Sequence, residues 1–237
     1  MNVKAKSLCQ QYWHQRIRES KDETRDPPPN EIYDTASSVL EGGEKILDLG
    51  CGAGRFSLYI RGKFKEIHGV EIAEERLRIA RGQEMFLSVA NINESLPYKD
   101  NMFNAVSCLD VIEHLIDPGS VLKEIYRVLR PNGQLVLTTP NFRYFRNIDR
   151  LVFKGAFPHT SSDTFVCVWG EGHLHYFTRK DLAGLLKNAG FEKIVFHINQ
   201  DQFHKSKKRK LIRLLTGEKV FGEWFCNSIT VSVYKGP

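Results

Sequence analysis

From residue 45 onward, short apolar or alternating runs are separated by segments of helical period. The runs at 45–49, 67–72, 86–90, 105–109, 134–139, 192–198 and 228–234 each read as a β-strand. Strand and helix in alternation predict an α/β fold, a doubly wound sheet of seven mainly parallel strands. Two helices carry explicit start and stop signals. Asp117 precedes Pro118, an N-cap followed by a first-turn proline, and Val121, Leu122, Ile125, Val128 and Leu129 form one apolar face before Pro131-Asn132-Gly133 ends it. Thr178 and Asp181 have capping-box spacing, Leu182, Leu185, Leu186 and Ala189 supply the buried face, and Gly190 stops the helix. The first forty residues are polar and broken by Pro27-Pro28-Pro29, so 1–40 is expected to be an amino-terminal cap and linker on one domain spanning 1–237.

Composition narrows the class. The chain has 237 residues, 41% of them hydrophobic, enough for a sizeable core. Mean hydropathy is −0.35, and no run approaches the roughly 18 apolar residues that a membrane helix needs. The polar first twenty residues lack an apolar signal core. Five scattered cysteines (Cys9, Cys51, Cys108, Cys167, Cys226) form no C-x-x-C pair, which argues against a disulfide or zinc scaffold and for a reducing, cytoplasmic setting. The net charge of +6 is local: six cations lie between Lys205 and Arg213, and the remaining 28 bases face 28 acids.

The most informative stretch is Ile46-Leu47-Asp48-Leu49-Gly50-Cys51-Gly52-Ala53-Gly54-Arg55-Phe56. An apolar strand runs into alternate glycines and then a helix, which lets backbone approach a ligand with no Cβ in the way. Arg55 stands where a dinucleotide fingerprint would need the next glycine, which counts against NAD or FAD. Glu71 ends the second strand, where a carboxylate can accept hydrogen bonds from both hydroxyls of a ribose.

These residues resemble the class I S-adenosylmethionine-dependent methyltransferases, and are similar to their ubiquinone-biosynthesis-like (type 11/type 23) group. The resemblance is carried by 46–56, by Gly69-Val70-Glu71-Ile72, by 91–115 and by 129–141, in the family's order. It implies a Rossmann-like fold and S-adenosylmethionine as cofactor. Asp48, Gly50, Gly52 and Gly54 would surround the methionine part, with Glu71 on the ribose and Ile72 against the adenine, and Cys51 and Ile92 would be further cofactor-binding residues. Asn91 stands where the family usually has Asp, and its carbonyl can still accept the adenine amine. Cys108, through its backbone, and Leu109 would close the pocket. Reaction would be in-line attack on a methyl already activated by the sulfonium, so the protein contributes alignment and exclusion of water.

Residues 141–177, after the fifth strand, form a connection far beyond the usual 2–6 residues. Nine of these 37 residues are aromatic, against 26 of 237 in the chain. They read equally as a lid lining an apolar substrate site and as a subdomain burying its own rings.

Asp110, Glu113 and His114 fall at i, i+3 and i+4, which places them on one face of a helical turn. His173 and His175 alternate on an extended segment and would share a side. His114 or His175 is the expected general base. A similar E-x-x-E-H metal motif with a later histidine occurs in some ubiquinone-type and small-RNA 3′-terminal methyltransferases. Here the first position is Asp, and a divalent metal ranks behind the metal-free base.

The basic segment 205–215 runs into Leu211, Ile212, Leu214 and Leu215, as in a short basic amphipathic helix. A solvated loop ranks first, and peripheral contact with an anionic membrane, a phosphorylated or lipid-linked substrate, and binding of nucleic acid follow. Overall the residues predict an enzyme O-methylating a small or lipid-like acceptor. An RNA methyltransferase and a non-catalytic S-adenosylmethionine-binding regulator are the alternatives.

Overall fold

The computed structural model of the chain describes residues 31–81, 84–156, 173–199 and 207–237, of which 207–210 by backbone alone. Most of the amino-terminal cap, positions 157–172 of the expected lid, and Lys205 and Ser206 lie outside the described residues.

Seven strands form one sheet: β1 (Gly43–Leu49), β2 (Phe64–Glu71), β3 (Phe86–Val89), β4 (Phe103–Leu109), β5 (Leu129–Pro140), β6 (Glu192–His197) and β7 (Ser228–Tyr234). Their order is β3-β2-β1-β4-β5-β7-β6. All neighbours run parallel except β7, which is antiparallel to both β5 and β6. Each strand expected from the sequence is present. β5 begins earlier than expected, because Leu129 already pairs with Phe103 before a register shift spanning Pro131-Asn132-Gly133.

Side-chain alternation along β1 assigns the two faces. Leu47 and Leu49 join a core with Val106, Leu135, Leu137 and Ile229. It is covered by Leu122 and Ile125 of α4 (Pro118–Val128) and Leu182 and Leu186 of α6 (Arg179–Asn188). Ile46 points the other way, with Ala105 and Val136, against Ala36 of α1 (Glu31–Val39) and Phe56 and Ile60 beside α2 (Arg55–Tyr59). The remaining described helices are α3 (Glu74–Ala80), α5 (Phe145–Phe153) and α7 (Lys207–Trp224).

Both signed helices start as expected. The Asp117 carboxylate accepts the Ser120 N–H, and Thr178 and Asp181 close a complete capping box. In β7, Ile229, Val231 and Val233 face the larger core, while the alternate residues Thr230 and Ser232 bond Asn199 and His197 on the other side. Among the described residues no helix is long and apolar enough to cross a membrane.

Candidate active site

β1 continues towards β2 on one side of the sheet and β4 towards β5 on the other. The carboxyl ends of β1 and β4 therefore flank a crevice, the place where open α/β sheets take ligands. A cavity of about 300 Å³ opens there. It is walled by the glycine loop (Gly50, Cys51, Gly52), the end of β2 (Glu71, Ile72), the segment Asn91-Ile92-Asn93, and Leu109, Asp110 and His114 after β4.

The loop needs its glycines. Gly50, Gly52 and Gly54 all have positive φ (71°, 54° and 77°). A Cβ on Gly50 would lie 2.5 Å from Cγ2 of Val111. The N–H groups of Gly50 and Cys51 both donate to the Val70 carbonyl, at 2.8 and 3.0 Å. Glu71 ties the loop to β2: one carboxylate oxygen accepts the Gly52 N–H (3.0 Å) and the other the N–H groups of Ile72 (2.8 Å) and Ala73 (3.0 Å).

Asp48 lies beneath this loop and does not itself line the cavity. It is 3% exposed and accepts hydrogen bonds from Ser107 (2.8 Å) and Ser57 (3.2 Å). Burial dominates those bonds and pushes its carboxyl up to about 6. Gly54 and Cys108 are likewise absent from the lining, and burial raises the Cys108 thiol, which leaves it an inert core group. The Asn91 carbonyl oxygen accepts from the backbone N–H (3.1 Å) and side chain (3.2 Å) of Asn93. Any further donor there must share it.

The expected helical face of Asp110, Glu113 and His114 is not formed. Asp110 adopts φ 52°, and only a 3-10 turn, Ile112–His114, follows. Its left-handed backbone breaks the helix before it begins, fixed by the Asp110 N–H donating to the carbonyl (3.1 Å) and hydroxyl (3.0 Å) of Thr138. Asp110 and His114 consequently reach the cavity, whereas Glu113 turns into the interior, 1% exposed, and accepts the Thr139 hydroxyl at 3.0 Å. Burial raises the Glu113 carboxyl, and the charge of Asp110 adds to that upward shift.

The Glu113 carbonyl accepts the N–H groups of Leu174 (2.8 Å) and His175 (3.1 Å), pinning the histidine segment beside the turn. The His173 ring lies 4.6 Å from that of His114. His175 instead stacks on Phe177, and its buried Nε2 has no hydrogen-bond partner. Neither His173 nor His175 lines the cavity. A carboxylate oxygen of Glu113 and one ring nitrogen each of His114 and His173 lie within 4.8 Å of one another, and the buried Glu113 Oε1 lacks a hydrogen-bond partner. That donor set fits a divalent cation. Asp110 and His175 do not belong to it.

Sequence reasoning missed Tyr33, Arg55, Arg76 and Asn93 in the cavity wall. Arg55 was conspicuous only for failing a glycine pattern. Tyr33 arrives from α1 across the sheet, and burial with the nearby Asp48 and Asp110 pushes its phenol up to about 12. Several described aromatics of the 141–177 segment pack on one another and beside the end of α7, as in Phe142 with Tyr176 and Phe145 with Phe225, while Phe153 is 80% exposed. None of these described aromatics lines the cavity.

The fold is of the Rossmann-like α/β class, with its cavity at the carboxyl ends of β1 and β4. Residues 12–195 match the family model of the methyltransferase domain, and the chain belongs to that family of class I S-adenosylmethionine-dependent methyltransferases. The ubiquinone biosynthesis O-methyltransferase of Pseudomonas aeruginosa (strain LESB58) is 32% identical over 108 residues, 42% of this chain and 45% of that protein. The chain thus spans under half the length of that curated relative. Among solved structures, an S-adenosylmethionine-dependent methyltransferase of Thermotoga maritima superposes with a TM-score of 0.60 at 20% identity, covering 86% of this chain and 88% of the other. The cyclase SpnF gives 0.60 at 21%, covering 86% and 80%. Both show a shared fold.

Proposed function

We propose that this chain is a methyltransferase that moves the methyl group of S-adenosylmethionine to a hydroxyl of a small, apolar or lipid-like acceptor. The observation that carries it is one cavity joining the glycine loop, Glu71 and His114. Bound there, the cofactor supplies an activated methyl on a positively charged sulfur. The loop would hold the amino-acid end, with the Asp48 carboxyl beneath it, Glu71 the ribose, and Ile72 with Ile92 the base. His114 takes the hydroxyl proton as the acceptor oxygen forms its bond to carbon. The bound group would give up its methyl to that oxygen and leave as S-adenosylhomocysteine, with the released proton on His114. The ubiquinone-type relative supports a hydroxyl acceptor.

Titration calorimetry with S-adenosylhomocysteine tests the first half. The chain should bind, and Gly52→Arg, which places a long side chain in the cavity wall, should not. The second half is read as S-adenosylhomocysteine released with a catechol-type acceptor, and His114→Ala should lower kcat by roughly 10²–10⁴. Binding without turnover on any hydroxyl acceptor would favour a regulator, or other chemistry on the same fold.

Glu113 Oε1, which has no hydrogen-bond partner and lies 3.9 Å from His173 Nε2 and beside His114, supports a second version of this site. A divalent cation held by those three residues would fix the acceptor's oxygens and acidify its hydroxyl. Metal analysis of purified protein, with activity before and after chelation, separates the versions: activity indifferent to chelator leaves His114 acting alone.

A further inference from the structure

α7 is two helices in one. Gly217, at φ 74° and ψ 162°, interrupts it. The second half is built into the molecule: Phe221 is buried, and the Asn141 carboxamide donates to the carbonyls of Glu223 (2.9 Å) and Cys226 (2.8 Å). Asn141 follows β5 at its carboxyl end, the end of the sheet at which the cavity opens.

The first half is different. Leu211, Leu214 and Leu215 stand at i, i+3 and i+4 and are 55%, 80% and 76% exposed. Lys207 and Lys208 precede Leu211 by four and three residues, Arg209 and Lys210 complete a four-cation turn, and Arg213 pairs with Glu218. An apolar stripe left in water beside a run of cations has the chemistry of an interfacial helix: leucines for the acyl boundary, lysines for anionic headgroups. Charge selects among occupants. A second copy of this chain, packed through the same face, would set cations against cations. An RNA would engage the cations and leave the leucines in solvent.

We propose that the leading half of α7 docks this protein on an anionic lipid surface, with Leu211, Leu214 and Leu215 entering the headgroup boundary. Because the second half is tied to Asn141, docking holds the cavity end of the sheet near the bilayer. The inference stands whatever the acceptor is, since it is read as binding and not as turnover.

The test is co-sedimentation of the full chain with vesicles of phosphatidylcholine alone and of phosphatidylcholine mixed equally with phosphatidylglycerol. Binding to the mixed vesicles and not to the neutral ones is expected, and it should weaken as salt rises. Leu214→Asp with Leu215→Asp should lower the partition constant at least about tenfold. Lys207→Ala with Lys208→Ala should lower it roughly fivefold for each charge removed. Both double variants should bind S-adenosylhomocysteine as the parent chain does, which shows they are folded. No binding to the mixed vesicles, or equal binding to both kinds, overturns the proposal. So does loss with the lysine pair but not the leucine pair, and a mixed-sequence RNA oligonucleotide bound under the same conditions then identifies the strip as a polyanion site. A leucine-dependent dimer in sedimentation equilibrium without vesicles also overturns it, in favour of a second copy.

Discussion

Asp48 shows how one buried carboxyl links stability to ligand. Its folded value of about 6 stands above the ordinary 3.8, so the ligand-free protein disfavours the ionised form. Between those two values the unfolded chain has released the proton and the folded chain still holds it, so stability falls as pH rises and levels off above about pH 6. Asp48→Asn should remove that fall, a gain on the order of 1–3 kcal/mol at pH 7 without ligand, visible in thermal unfolding from pH 4 to 7. In the proposed function, the ammonium of the cofactor above the loop would offset the same charge. Affinity of the parent chain should therefore rise through pH 6, and that of Asp48→Asn should stay flat and lower. At Gly50 the argument is steric: Gly50→Ala combines a positive φ with a Cβ 2.5 Å from Val111 and should cost roughly 1–3 kcal/mol in a denaturant titration. Both residues stood out in the sequence because the motif is continuous. Tyr33 and Arg76 did not, because only their approach from α1 and α3 brings them to the cavity.

At the scale of elements, local signals were reliable where the chain's own backbone satisfies them. The capping box at Thr178 is such a case, and Thr178→Ala should lower the unfolding free energy by about 1 kcal/mol. The turn after β4 is the opposite case. Helical spacing of Asp110, Glu113 and His114 predicted one face, but bonds from Asp110 to Thr138, 28 residues away, hold the backbone left-handed. Glu113 then turns inward and His114 outward. Nothing in the local spacing encodes that contest. Asn141 was equally invisible: its carboxamide meets α7 some 80 residues later. Asn141→Leu leaves those carbonyls unpaired, and should cost on the order of 1–3 kcal/mol and hasten proteolysis within 207–224.

Over the whole molecule, a ligand that binds only the folded state stabilises it by mass action. S-adenosylhomocysteine at a hundred times its Kd should add about 2.7 kcal/mol. For a chain of this size that raises Tm by roughly 5–10 °C. Gly52→Arg should show no shift in the same thermal scan. The charge distribution belongs to this scale too. The +6 of the chain is the sum of one strip and a neutral remainder, and five of the strip's six cations, from Lys207 to Arg213, lie in the half of α7 that leaves three leucines in solvent.

The amino-acid sequence alone determined the strands, their helices and the glycine loop, because each rests on contacts within a few residues: side-chain period, caps, and backbone conformations open to glycine. Tertiary structure decided which groups share the cavity. Asp110 and His114 enter it while Glu113 leaves it, Asp48 lies beneath it, and Tyr33 and Arg76 complete its wall. Those positions follow from strand order and from hydrogen bonds between residues far apart in the chain, and no local periodicity records them.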